Sequence, residues 1–426
     1  MKNLAFIKKY FAFCVLFFIF CIVSLPQQGF SWDINCFKDW TNYIFNHGLQ
    51  NVYKSSTDYL PLYHYILAIF GLFQGSIENI EVNIHYLKVI TLFFHFVTGY
   101  FLILLIKKND VSSDKMIVYV LFYLLNIAVL YNSLIWGQVD EILTGLIFIT
   151  CYFSLKQKVQ LALIFLVFSI NFKLQAIIFL PIVLLLLLPA IISTFSIKKL
   201  ATYILFPLLI QVLIILPFII SGNISKLWDV VTGSVGKFPF VSMNAYNFWD
   251  FLLPGNLMEI PDSNTYKGIS YKHWGLLLFF VTSGLALFPL FKSVYLSIKS
   301  KTNISFPIDK FLLLCGIIPL FFFYFNTQMH ERYSHPALAF LIAYSLYTKK
   351  PFVAIVVSCA YFLNMEGVLK FIKLNNYETI IFNRDFISSL FLLAIVYIYI
   401  QLFEVKLINI KNNKYVKRFI RYNSNL

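Results

Sequence analysis

The chain has 426 residues, 60% of them hydrophobic and 12% charged, with a formal net charge of +15. A soluble domain carries about 25% charged residues, so this composition excludes an ordinary globular protein, which could not hide so much apolar surface from water. The basic excess points to loops held on the cytoplasmic side of a membrane, and no basic stripe carries the interleaved aromatics of a nucleic-acid binder, so no nucleic acid is expected as a partner.

Apolar runs of roughly 16 to 23 residues recur along the chain, the length that crosses a hydrocarbon core of about 30 Å. Lys2, Lys8 and Lys9 precede the first of them as in a signal sequence. No small-x-small cleavage site stands before Pro26, so that run reads as an uncleaved first helix. The pattern predicts an all-α polytopic membrane protein in one integral domain, 1–426, with about 12 (11–14) transmembrane helices. They are placed over 10–25, 84–106, 115–133, 139–154, 159–171, 174–192, 200–221, 274–292, 310–326, 333–347, 352–364 and 386–404. The apolar stretch 60–73 is short for a span and reads as interfacial or re-entrant. Five of the six cysteines lie in apolar runs, and Cys36 has no loop partner, so no disulfide framework is expected.

Charge orients these elements. With the N-terminus inside, 22 of the 34 basic residues fall on the cytoplasmic side, among them Lys107–Lys108, Lys198–Lys199, Lys349–Lys350 and the run over 406–421. About 15 of the 19 acidic residues face the other way, as the positive-inside rule demands. Counting 60–73 as a span would reverse Lys107–Lys108. Three long polar segments then face away from the cytoplasm: 26–83, 222–273 and 366–385. The unusual polar residues gather there, at the outer ends of helices.

Asp33 sits just after the first helix among Trp32, Phe37 and Trp40, where a carboxylate can act as a general base. It reads equally as a solvated carboxylate or a cap for the turn at Ile34. In NSLIWGQVDEIL, Gln138, Asp140 and Glu141 enter a helix at its N-terminus, where the dipole favours carboxylates. Trp136 suits an interfacial anchor, yet the Trp-Gly-Gln-x-Asp unit is more than either role needs. Lys173 and Gln175 lie between two apolar runs, from which a lysine can snorkel to the interface. In FNTQMHERYSHP, the adjacent His330, Glu331 and Arg332 are costly at a membrane boundary unless they pair or bind something. The arginine fork suits a phosphate, with histidine beside it; a Glu–Arg pair tying two helices is the plainer reading. There is no HExxH, and neither His330 nor His335 has zinc-site spacing.

On these residues the chain resembles the GT-C class of polytopic glycosyltransferases, which use polyprenyl-phosphate sugars, and most of all the branch of the dolichyl-phosphate-glucose glucosyltransferases and their bacterial relatives. The matching pieces run in order: Asp33 with Trp40; Asp58-Tyr59-Leu60-Pro61-Leu62 for Asp-Tyr-Pro-Pro-Leu, departing at Leu60; Trp136-Gly137-Gln138-Val139-Asp140; Lys173-Leu174-Gln175 with Pro181; Asn244 to Trp249; and Met329-His330-Glu331-Arg332-Tyr333. The resemblance implies a GT-C-like fold with interfacial helices in the first outer loop. It implies inverting transfer of a glucose- or mannose-type hexose from a polyprenyl-phosphate donor to a lipid-linked or envelope glycan acceptor. Asp33 would be the catalytic base, and His330, Arg332 and Lys173 would bind the donor phosphate. Trp40, Asp58, Tyr59, Gln138, Asp140, Gln175, Asn247 and Glu331 would bind or orient substrate. No metal ligand is assigned, and a divalent metal shared by Asp33 and Asp140 is left open. The expected surroundings are membrane lipid, in a bacterial inner membrane suggested by abundant Phe, Ile, Lys and Asn, with the active site facing outside. A flippase or transporter of lipid-linked saccharides is the competing expectation, and it calls for charged residues through the full membrane depth.

Overall fold

The computed structural model describes residues 2–107, 113–193, 196–234 and 236–404. They form α1 (Lys2–Val23), α2 (Ser31–His47), α3 (Pro61–Gln74), α4 (Ile77–Asn83), α5 (Lys88–Ile106), α6 (Ser113–Leu124), α7 (Ile127–Leu130), α8 (Asp140–Leu155) and α9 (Val159–Phe172). Then follow α10 (Leu180–Ser193), α11 (Ile197–Ile220), α12 (Ile224–Gly233), α13 (Tyr271–Ser300), α14 (Ile308–Phe325), α15 (His335–Thr348), α16 (Phe352–Leu369) and α17 (Arg384–Phe403). Four two-residue strands complete the fold: β1 (Ser242–Met243), β2 (Thr265–Tyr266), β3 (Ile269–Ser270) and β4 (Met329–His330).

Each of the twelve expected spans coincides with helical structure, but not every one reaches spanning length. Among the described residues, seven helices are long and apolar enough to cross a membrane, or eight if the pair Val118–Leu124 and Ile127–Trp136, bent by 41°, counts as one span. The shortfall has a physical reason in α8 and α15. They have 16 and 14 residues, about 24 and 21 Å at 1.5 Å per residue. Nearly every side chain of both is buried against other helices, so their composition answers to protein rather than to lipid. With α14 they form the centre of the core, whereas α11 buries only Ile214 and Phe218 and turns the rest of its apolar surface outward.

The expected first loop, 26–83, is largely helical. Pro61 opens α3 at the position where its fixed φ favours helix entry, so the Leu60 departure falls on the N-cap. In the second loop, Trp249 Nε1 donates to Phe325 O at 2.9 Å and Asn247 Nδ2 to Phe323 O at 3.0 Å, seating the loop on the end of α14. β1 pairs in parallel with β4, Ser242 opposite Met329 and Met243 opposite His330. This pairing orders the short connection between α14 and α15. The basic run over 406–421 lies outside the described residues.

Candidate active site

Asp33 occupies the first turn of α2, where its charge complements the helix dipole. Its carboxylate is fixed from the chain between α7 and α8. Residues Tyr131–Trp136 form a π-helical turn, a wider winding found often at functional sites. Trp136 Nε1 donates to Asp33 Oδ2 at 2.8 Å, and Phe30 N donates to Trp136 O at 2.8 Å. The buried Lys88 ammonium clasps both segments, donating to Pro26 O at 2.8 Å, Gln28 O at 2.6 Å and Leu134 O at 2.7 Å. Gly137 then ends the turn at φ +84° with Lys88 Cε 3.1 Å from where a Cβ would stand, so the turn requires glycine.

Asp140 begins α8 and meets Lys173, whose extended backbone separates α9 from the 3₁₀ turn Leu174–Phe179. Lys173 Nζ donates to Asp140 Oδ1 at 2.5 Å and lies 5.4 Å from the centre of the Tyr59 ring. Asn132 Nδ2 donates to Asp140 Oδ2 at 3.1 Å. Arg332 enters from the α14–α15 connection: Nη1 donates to Glu331 Oε1 at 2.6 Å, Nη2 lies 3.9 Å from Asp33 Oδ1, and Nε lies 3.8 Å from Asp140 Oδ2. Three carboxylates and two cations from four segments thus share one buried cluster. Burial works against the Arg332 guanidinium, but Asp33, Glu331 and Asp140 hold its pKa well above the ordinary arginine value. Burial pushes the Glu331 carboxyl up, against the pull of Arg332.

Burial, reinforced by the charges of Arg332 and Lys173, pushes the His330 imidazole well below the usual value, so it is uncharged at neutral pH, and the ring packs against Phe238 and Tyr333. Asn247 is not brought to the cluster: its amide accepts from Trp249 N at 3.1 Å and donates to Phe323 O, which makes it a loop anchor. Asp58 pairs with Lys237. Trp40 stacks edge-on against Tyr59 at 5.0 Å, and Tyr59 Oη donates to Gln138 Oε1 at 3.3 Å. Gln175 Nε2 donates to Tyr333 O at 2.8 Å.

Beside the cluster lies a cavity of about 590 Å³ whose wall includes Tyr59, Lys173, Tyr333, Lys237 and Lys272 together with apolar side chains such as Ile177, Leu276 and Phe322. Asp33, Asp140 and Arg332 do not line it; Lys173 does, and it bridges cavity and cluster. A metal shared by Asp33 and Asp140 does not fit this donor set. Arg332 already stands against both acids, and among the described residues no three His, Cys, Asp or Glu side chains group so as to hold an ion. Sequence reasoning missed three parts of the site: Trp136 as the Asp33 donor, Asn132, and the Lys88 clasp. The Trp-Gly-Gln-x-Asp unit, which begins at Trp136, was the signal for the first. No family model matches the chain, and no curated protein matches it significantly.

Proposed function

We propose that the chain is an inverting, GT-C-like glycosyltransferase with twelve membrane spans. It moves a glucose- or mannose-type hexose from a polyprenyl phosphate to a lipid-linked or envelope glycan, on the non-cytoplasmic face of a bacterial inner membrane. The observation that carries this reading is the convergence of Asp33, Asp140, Arg332 and Lys173 from separate segments into one buried charge cluster beside the cavity. A cavity of about 590 Å³ falls in the usual range for a small-molecule site. Its apolar wall suits a prenyl chain, and Lys173, Lys237 and Lys272 suit a phosphate.

In this reading Asp33 Oδ2 is held by Trp136, which leaves Oδ1 to take the proton of the acceptor hydroxyl. The new bond from that oxygen to the sugar C1 forms as the bond from C1 to the phosphate oxygen breaks, and the phosphate leaves with the electron pair. The leaving group is a phosphate monoester, whose second pKa is about 6, so at neutral pH it needs nearby positive charge rather than a general acid. Lys173 supplies it from the cavity wall. Arg332 balances the acids around it, and neutral His330 offers a hydrogen bond. No step is routed through a metal.

The test is transfer by the purified protein from polyprenyl-phosphate glucose and mannose into an envelope acceptor fraction, read by mass spectrometry alongside the glycans of cells with and without the gene. Donor-dependent product that disappears with the gene is expected. Absence of transfer from both donors, with unchanged envelope glycans, would overturn the reading.

A further inference from the structure

Behind Asp140 a second set of polar side chains runs into the bundle, and the transfer step itself does not use them. Asn132, Glu141, His335 and Tyr361 are each fully buried, and they come from the π-helical turn, α8, α15 and α16. Asn132 Nδ2, 3.1 Å from Asp140 Oδ2, is also 2.9 Å from Tyr361 Oη. Tyr361 Oη is 3.0 Å from His335 Nδ1, and His335 Nε2 is 2.9 Å from Glu141 Oε2. Tyr123 gives its hydroxyl hydrogen to Glu141 Oε1.

Donor counting sets one direction along this chain. The Asn132 amino group has two hydrogens, one for Asp140 and one for the Tyr361 oxygen. Its amide oxygen cannot take that place, because it would face a carboxylate. Tyr361 then has a single hydrogen to give, and it goes to His335 Nδ1, which must be bare. His335 therefore carries its proton on Nε2 and donates it to Glu141. Every link points away from Asn132 and ends on a carboxylate, so each bond polarises the next. The chain is not a proton wire, because the Asn132 carboxamide does not accept a proton on one side and release it on the other.

We propose that His335, anchored by Glu141, is a positioning residue that acts through Tyr361 and Asn132 to fix the Asp140 carboxylate, so that Oδ1 stays on Lys173. Its kinetic consequence rests on the transferase reading; its hydrogen-bond geometry does not. Neither Glu141 nor His335 touches substrate. The pair sets the tautomer and ring angle from which the Asn132 orientation follows.

The experiment uses the full chain in detergent, labelled with ¹⁵N-histidine, with the His335 signals assigned by their loss in His335→Gln. The expected result is a neutral Nε2–H tautomer at His335 whose Nδ1 signal shifts in Tyr361→Phe, where the donor is gone and the ring is kept. In kinetics, Tyr361→Phe and His335→Gln should lower kcat by roughly 10- to 100-fold, the range that a misplaced group costs, with donor KM little changed. His335→Asn, which keeps an acceptor where Nδ1 was, should recover part of that loss, whereas a merely structural role predicts equal losses for Asn and Gln. An imidazolium or an Nδ1–H tautomer at His335 would overturn the proposal, as would a Tyr361→Phe enzyme with wild-type kcat. If the wild-type protein transfers no hexose, the transferase reading falls, and the tautomer measurement alone decides the positioning geometry.

Discussion

Arg332 has three acids as neighbours, and that number governs what its loss does. Removing a buried guanidinium strands the charges around it, a change worth about 3–5 kcal/mol. Arg332→Ala should therefore lower both the unfolding temperature in detergent and the rate of transfer. Arg332→Lys should restore stability more than activity, since an ammonium is a point charge and cannot span Glu331, Asp33 and Asp140 as the planar fork does. An Arg332→Ala protein of wild-type stability and turnover would remove the residue from the site. Asp33→Asn, in contrast, keeps an oxygen for the Trp136 indole and loses basicity, so it should fold normally and lose roughly 10²- to 10⁴-fold in transfer. Asp58, on the cavity wall with Lys237, is the control from the same loop, and its Asn variant should retain much activity. A well-folded Asp33→Asn enzyme within a few-fold of wild type would end the base assignment. Because Arg332 stands where a shared ion would bridge Asp33 and Asp140, EDTA should leave the rate unchanged. Inhibition by EDTA that magnesium reverses would contradict that placement.

Single elements carry the next level of the design, and the one most dependent on local geometry is the π-helical turn of Tyr131–Trp136. Gly137→Ala would force a Cβ into positive φ and against Lys88 Cε. The turn should shift, the Trp136 indole should leave Asp33, and activity should fall further than stability; equal losses would mean that the turn serves packing alone. In the loop seated on α14, burial lifts the Asp250 carboxyl to about 6, opposed by the Asn247 backbone N–H and by Arg384. The folded value lies above the usual carboxylate value of about 4. The contribution of this group to stability is therefore fully present below that value and is lost as pH rises through 6. The amount is at most about 2–3 kcal/mol, reduced by the residue's partial exposure. Asp250→Asn can still accept from Asn247 N, so it should unfold at a higher temperature than wild type at pH 7 and at a similar one near pH 4. A difference independent of pH would refute the titration. Such elements were legible in the sequence to different depths. The helices announced themselves as apolar runs. The bend between α6 and α7, where the Asn126 side chain accepts from Val129 N at 3.2 Å, did not, because one capping residue inside an apolar run does not interrupt its hydropathy. Ionisable residues stood out against the same background, so Asp33, Asp140, Lys173 and Arg332 were found before the fold was known. Their partners were not, because Asn132, Tyr361 and Trp136 become polar contacts only when distant helices pack.

At the scale of the whole molecule, the number of spans and their orientation are separate questions, and charge bears only on the second. Seven described helices reach spanning length, or eight with the bent pair, while α8 and α15 are packed inside the protein, where a helix needs neither the length nor the hydropathy that a lipid-facing one needs. A criterion of length and composition passes over such interior helices, which is why it counts fewer than the expected twelve. Parity, however, decides on which side each loop emerges. If α8, α9 and α15 each cross the membrane along with the longer helices and α1, both termini share the cytoplasm and the loop carrying Ser56 faces outside with Asp140 and His330. If one of the short helices turns back within the membrane, every loop after it changes sides, and Lys349–Lys350 would move to the outer face against the positive-inside rule. Single-cysteine variants at Ser56, on the cavity wall, and at Asn412, beyond the described residues, discriminate between these arrangements. The native cysteines Cys14, Cys36 and Cys359 are not fully buried, so the variants belong in a background with these replaced by serine. A thiol reagent that cannot cross the membrane should label Ser56→Cys in intact cells and Asn412→Cys only after lysis. Labelling of both positions from the same side would require an even number of crossings between them, and would overturn the twelve-span arrangement.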